Sequence, residues 1–199
     1  MDFKVLVAIM MSAALVNNFV LRQFLGICPF LGVSKERSSA FGMSVAVICV
    51  MLAATACTWP IQVFVLNAYG LGYLQTIVFI VVIATLVQLI EIVLRKFIPP
   101  LYKSLGVYLP LITTNCAVFG LTIMNINEGY SYPEALINAL GAGVGFLLAM
   151  MLFSSVREHT ESASPPEAFA GPPLTLISAA ILSLAFFGFD GVVDNLFGK

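Results

Sequence analysis

Long apolar stretches constrain this chain more than any other feature. A helix needs roughly 20 predominantly apolar residues to cross the hydrocarbon core of a bilayer. Six stretches are read as spans: Phe3–Leu25, Ala40–Leu66, Leu71–Leu94, Leu105–Met124, Pro133–Val156 and Leu174–Phe197. Breaker residues separate them: Pro29 and Gly32, Gly70 and Gly72, Pro99-Pro100, Asn125 to Gly129, then Pro165-Pro166 and Pro172-Pro173. The runs are continuously apolar and do not alternate, which argues against a strand barrel. Charged residues make up only 10% of the chain, against about 25% in a soluble domain. The expected fold class is an all-α integral membrane protein, a single transmembrane domain over residues 1–199. Phe3–Leu25 is too long for a signal-peptide core and lacks a clear cleavage site, so it is kept as a span. A net charge of −1 gives no reason to expect nucleic acid; the lipid bilayer is the expected surroundings.

Basic residues orient the spans. Lys35 and Arg37 lie between spans one and two, Arg95, Lys96 and Lys103 between three and four, and Arg157 after five with His159 close by. The opposite side holds Asp2, Glu128, Glu134, Asp190 and Asp194, with Lys4 and Lys199 only at the termini. Both termini are therefore expected on the non-cytoplasmic side. Three spans per half is an odd number, so a tandem copy must insert upside down. Repeat one would cover about residues 1–98 and repeat two about 99–199. Inverted repeats place their functional site near the midplane, on interrupted helices.

The first span of each half is a poor continuous helix. Span one carries Asn17-Asn18, Arg22-Gln23 and Gly26-Ile27-Cys28-Pro29; span four carries Pro110, Thr113-Thr114-Asn115-Cys116 and Gly120. Proline removes a backbone donor, and neighbouring polar groups can satisfy what it frees. The bland alternative is that such residues only kink helices or hold them together. Aligning the cysteines offsets the halves by 88 residues, whereas aligning Asn17-Asn18 with Asn115-Cys116 offsets them by 98. Sequence alone does not choose.

Each half also has a Cys-x-x-x-Gly pattern, Cys28 to Gly32 and Cys116 to Gly120. A lone buried cysteine is usually a small hydrophobe, and Cys49 and Cys57 fit that description. Cys28 and Cys116 differ because each flanks a helix-breaking cluster. Two thiolates are half of what an iron–sulfur cluster normally requires, which suggests a redox centre shared with a second, similar polypeptide. Glu91 is the other candidate. An ionisable group in a span is a functional candidate by default, but Arg95 stands four residues on at helical pairing distance, and an interfacial ion pair is the favoured reading. Arg22 is expected to snorkel toward the basic side. No nucleophile–base pair, phosphate-binding glycine loop or CxxC occurs, so no activity is expected from this chain alone. From the residues, a redox component, an inverted-repeat secondary transporter without a redox centre, and an inert scaffold all remain open. The transporter's charged midplane site would rest on Glu91.

Specific stretches go further. Asn17-Asn18-Phe19-Val20-Leu21, Phe24 through Lys35, Leu109 through Val118, Arg157-Glu158 and Leu184 through Phe189 resemble the A-type membrane subunits of Rnf complexes. The Asn-Asn start separates them from their E-type paralogues and from the D and E subunits of the sodium-pumping NADH:quinone reductase. The tail from Asp190 to Lys199 is longer and more acidic than is usual in that family. The resemblance implies a membrane component of a translocase that couples electron flow between ferredoxin and NAD to sodium or proton movement across a bacterial or archaeal cytoplasmic membrane. It implies six helices in two inverted three-helix halves with broken first helices. It further implies one 2Fe–2S cluster shared with the inverted E-type paralogue, with Cys28 and Cys116 as this chain's ligands and other Rnf subunits as partners. Asn17, Asn18, Thr113, Thr114, Asn115 and Glu91 are candidate supporting residues or ion-path residues.

Overall fold

The computed structural model describes residues 3–34, 36–97, 111–112, 114–162, 166 and 171–189. All regular structure among them is helical. Helix α1 (Phe3–Met11) runs into a π-helical turn, Ser12–Val16, and stops. Residues 17–26 are not helical, and the chain resumes as the short helix α2 (Ile27–Val33). Helix α3 (Arg37–Ile61) continues through a second π turn, Gln62–Leu66, to Asn67–Tyr69. Pro60 sits just before that turn, where its missing N–H interrupts the regular ladder. A 3₁₀ turn, Gly72–Leu74, leads into α4 (Gln75–Phe97). Then come α5 (Cys116–Asn127), α6 (Tyr132–Ser162) and α7 (Pro172–Phe187).

Three helical stretches are long and apolar enough to cross a membrane: Arg37–Tyr69, Gly72–Val93 and Tyr132–Thr160. Lys4–Val16, Cys116–Asn127 and Pro172–Phe187 are apolar but shorter. The expected first span is thus not one helix: α1 and its π turn end at Val16, ten residues are irregular, and α2 follows. Residues 98–110, which include the start of the expected fourth span, together with Thr113 and Asp190 to Lys199, lie outside the described residues.

Small residues set the packing. α6 lies most extensively against α3, and also against α1 and its π turn. The Gly141-Ala-Gly143-Val-Gly145 run makes this possible. A Cβ at Gly141 would stand 2.7 Å from Met10 O, and one at Gly145 would stand 2.8 Å from Ala14 O. On the other face, a Cβ at Gly143 would stand 2.8 Å from Ile48 Cγ1 of α3. Apolar lipid gives helices little hydrophobic reason to associate, so close backbone approach is the main source of affinity. Met43, Val47 and Met51 of α3 and Phe146, Met150 and Phe153 of α6 fill the core between them. Phe30 of α2 stacks on Phe153 with ring centroids 4.1 Å apart. At the other end of α6, Glu134 accepts from Ser131 N at 2.9 Å and from Ser131 Oγ at 2.6 Å, a side-chain cap on the first turn. α4 packs mainly on α3 and leaves Ile77, Ile80, Val81, Leu89 and Ile92 exposed.

Candidate functional site

Asn18 organises the first break. Its side chain is 1% exposed. Oδ1 accepts from Val20 N at 3.1 Å and Leu21 N at 3.3 Å, while Nδ2 donates to Ala14 O at 3.2 Å and to Gly145 O on α6 at 2.8 Å. One amide thus supplies partners for groups that the interrupted helix leaves without any. The loop closes through Leu25 N to Phe19 O at 2.8 Å and Arg22 N to Asn18 O at 2.9 Å. Ser183 of α7 donates to Leu21 O. Two left-handed residues complete the turn, Phe24 at φ 57° and Gly26 at φ 82°. Glycine takes that conformation freely; phenylalanine is strained there.

The second break is shorter. Asn115 is the N-cap of α5, with Oδ1 accepting from Ala117 N at 3.0 Å, as capping asparagines do. Cys116 is the first residue of α5, and Cys28 is the second of α2. Both cysteines therefore stand in the first turn after a break. Pro29, next in α2, is tolerated because a first-turn N–H has no intrahelical acceptor in any case.

The two breaks meet. Gly26 N donates to Cys116 Sγ at 2.9 Å. A Cβ at Gly26 would lie 3.1 Å from Ala117 Cβ, 3.1 Å from Asn115 Oδ1 and 3.2 Å from Phe146 Cε2. Gly120 lies under Leu25 of the first break, where a Cβ would come within 2.6 Å of Cδ1. Its counterpart in the pattern, Gly32, has open space around it. Arg157 of α6 fixes the far end of α2, donating from Nη1 to Leu31 O at 2.8 Å and to Ser34 Oγ at 2.9 Å. Beside it Arg37 and Glu158 form an exposed ion pair at 2.6 Å.

Cys28 and Cys116 are both exposed and in no disulfide. A cavity of about 360 Å³ opens beside Cys116, lined by Thr114, Asn115, Cys116 and Phe119 and, on α4, by Ile80, Ile83 and Ala84. Asn115 Nδ2 is buried there without a hydrogen-bond partner among the described residues. Among the described residues no group of three or more His, Cys, Asp or Glu side chains gathers to hold a metal. The donor set is two accessible thiols, one backbone N–H already directed at sulfur, and one free amide donor. That set suits half of a thiolate-bound cluster, whose sulfurs accept such hydrogen bonds, and does not suit a complete site within one chain.

The remaining candidates separate. Thr114 and Asn115 line the cavity with Cys116, and Thr113 lies outside the described residues. Asn17 belongs to a different cavity, with Ser12, Glu128, Tyr130 and Asn138. Glu91, half-buried on α4, lines neither cavity described here. Its expected ion pair with Arg95 is not formed among the described residues. Such a pair gains only a few tenths of a kcal/mol at an exposed helix surface, too little to hold two long side chains together. Arg22 does not simply snorkel: it turns onto Val16 O at 3.3 Å and lies 5.8 Å over the Phe187 ring. Asn138 donates to Asn125 in a buried bond of 2.7 Å that was not among the expectations; its signal in the sequence is a lone amide, Asn138, within an apolar span, with Asn125 just past the end of another.

A profile of the family described as "Rnf-Nqr subunit, membrane protein" matches residues 6–193. One relative is a Syntrophotalea carbinolica protein named as the A-type component of an ion-translocating oxidoreductase complex. The chain is 55% identical to it over 192 residues, 96% of this chain and 100% of the relative. A second relative, from Acetobacterium woodii, is named as the A-type component of a Na(+)-translocating ferredoxin:NAD(+) oxidoreductase complex. Identity there is 52% over 187 residues, 94% of this chain and 97% of the relative. A protein of Azoarcus sp., named like the first, is 47% identical over 94% of this chain and 97% of its own. The chain belongs to the Rnf-Nqr family of membrane subunits, among the A-type components of ion-translocating oxidoreductase complexes.

Proposed function

We propose that this chain is the membrane component of a complex that couples electron transfer between ferredoxin and NAD to sodium or proton movement, and that it supplies Cys28 and Cys116 to an intramembrane 2Fe–2S cluster. An inverted E-type paralogue provides the other two thiolates. The fold is two inverted halves, about residues 1–98 and 99–199, in a bacterial or archaeal cytoplasmic membrane, with both termini on the non-cytoplasmic side. The observation that carries this reading is the convergence of the two breaks, where Gly26, two residues before Cys28, donates its N–H to Cys116 Sγ.

A bound 2Fe–2S cluster would carry one electron at a time. This chain's own residues do the rest. Cys28 and Cys116 present thiols at the first turns of α2 and α5. Gly26 N–H stabilises charge on the Cys116 sulfur, and Asn115, the preceding residue, keeps a buried Nδ2 donor without a partner among the described residues. Asn18 and Arg157 fix the chain on either side of Cys28. The wall of Ile80, Ile83 and Phe119 is apolar and offers charge placed here no polar side chains to screen it. At ~4 Å and an effective dielectric of ~20, a cation and an electron attract by ~4 kcal/mol, against ~2.3 kcal/mol for moving one charge through 100 mV. The attraction is large enough to couple the two movements.

The test is Cys28→Ser and Cys116→Ser in the purified complex, read by iron content and by low-temperature electron paramagnetic resonance. Loss of about two irons per complex, as expected when a 2Fe–2S ligand set is broken, together with loss of one reduced-state signal, supports the assignment. Full iron content and an intact signal in both variants would end it.

A further inference from the structure

A second cavity, of about 110 Å³, is lined by neither cysteine. It lies where the π turn Ser12–Val16 meets the C-terminal end of α5 and the first turns of α6. Its polar lining is Ser12, Asn17, Glu128, Tyr130 and Asn138. Every one of these side chains carries an oxygen, and no cationic side chain among the described residues lines the space.

The hydrogen-bond pattern leaves these oxygens available. Asn17 uses Nδ2 on Ser12 Oγ at 3.2 Å, and Asn138 uses Nδ2 on Asn125 Oδ1 at 2.7 Å. Among the described residues nothing donates to Asn17 Oδ1 or Asn138 Oδ1. Asn138 is only 8% exposed, yet its Oδ1 is not one of the buried atoms without a partner, so it is reachable from the cavity that the residue lines. Glu128 is the C-cap of α5, where the helix dipole is negative and adds to its own charge. It makes no ion pair among the described residues. Tyr130 registers this field: burial pushes its hydroxyl above the usual range, and Glu128 and Glu134 push the same way.

Hard cations take oxygen ligands, and divalent sites commonly gather several carboxylates. This cavity has one carboxylate and several neutral oxygens, which balances a single positive charge. Its volume admits such a cation with part of its water, each water occupying about 30 Å³. The geometry points to a vestibule in which Glu128, Asn17, Asn138, Ser12 and Tyr130 hold one partly hydrated monovalent cation of sodium's class. This rests on the proposed reading that the complex moves such an ion, and it gives that ion a first station. Asn17 terminates the π turn and Asn18 holds the break, so occupancy is transmitted directly to the segment before Cys28.

The experiment is sodium binding to the purified complex, by sodium-23 relaxation or radioactive sodium, with the reduced-cluster signal recorded on the same samples. Glu128→Gln should weaken sodium binding about tenfold or more, since it removes the one charged ligand. Asn17→Asp adds a second carboxylate and should let calcium compete for the site where the wild type does not. Unchanged sodium affinity in Glu128→Gln, or no gain of calcium competition in Asn17→Asp, overturns the assignment, as does absence of sodium binding by the wild type. If sodium binding follows Glu128 while the cluster signal is missing from the wild type, the cluster reading fails and the vestibule stands. A normal cluster signal with sodium binding indifferent to Glu128 is the reverse.

Discussion

Replacing Gly26 by alanine perturbs the meeting point of the two breaks with a single methyl group. Two costs add. The residue sits at φ 82°, and an L-residue with a Cβ pays about 1–2 kcal/mol in left-handed backbone. The new Cβ also meets Ala117, Asn115 and Phe146 at 3.1 to 3.2 Å. Phe146 is fully buried and Ala117 is a first-turn residue of α5, so neither has free room to move, and overpacking of this kind costs about 1–3 kcal/mol. A total of about 2–5 kcal/mol follows. Gly32→Ala is the matched control: its Cβ meets nothing within 4 Å, and within α2 alanine is the better helix former by about 1 kcal/mol. Thermal inactivation of the purified complex should show Gly26→Ala melting roughly 5 °C or more below wild type and Gly32→Ala at or above it. Iron content should fall in the first variant only, because displaced α5 carries Cys116 with it. Equal melting temperatures for the two alanine variants would refute the reasoning.

Asn18→Leu keeps the branching at Cγ, with somewhat more bulk, but removes four hydrogen bonds, leaving Val20 N, Leu21 N and Gly145 O short of partners. At about 1–3 kcal/mol for each buried orphan, the assembled complex should be lost or sharply destabilised, measurable as its yield and melting temperature; a wild-type yield would count against Asn18 as the holder of the break. Gly145→Ala places a methyl 2.8 Å from Ala14 O, and should cost about 1–3 kcal/mol, whereas Gly129→Asn, in an open left-handed turn, should cost well under 1 kcal/mol because asparagine tolerates that backbone; the melting temperatures of the two variants check the contrast. The Glu134 carboxyl is held below its usual range by the Ser131 hydroxyl and then by the Ser131 backbone N–H. A lowered folded-state pKa means that its stabilisation is complete above the ordinary carboxylate value and disappears as pH falls through the lowered one. Amide protection factors in the first turn of α6, exchange rates taken relative to their intrinsic pH dependence, should therefore fall on acidification, and Glu134→Gln should abolish that fall.

Much of this architecture is legible in the residue order, because membrane spans are local in sequence. Length and apolarity alone mark Ala40–Leu66, Leu71–Leu94 and Pro133–Val156, and helices occupy all three. The interruptions are legible too, since Asn17-Asn18, Gly26-Ile27-Cys28-Pro29 and Thr114-Asn115-Cys116 place polar and helix-breaking residues where lipid forbids unpaired backbone. The register between the halves is not. Asn18 and Cys28 stand toward opposite ends of a long break, while Asn115 and Cys116 are adjacent. No single offset can superpose both pairs. Likewise the two Cys-x-x-x-Gly patterns look equivalent as letters, yet Gly120 receives Leu25 and Gly32 receives nothing. The Gly26–Cys116 contact spans 90 positions and leaves no local trace. Glu91 and Arg95 show the opposite failure: ideal spacing gives an opportunity to pair, but no such pair forms among the described residues.

The bond from Gly26 N–H to the Cys116 sulfur is also a mechanical linkage. Any rearrangement that draws the irregular segment away from α5 strips a donor from that sulfur and makes added negative charge there harder to accommodate. In the proposed redox role, reciprocity runs the other way: an electron arriving near the sulfur would tighten its grip on the segment, with Asn17 and its cavity at the segment's far end. A single amide proton thus gives a redox event something to pull on.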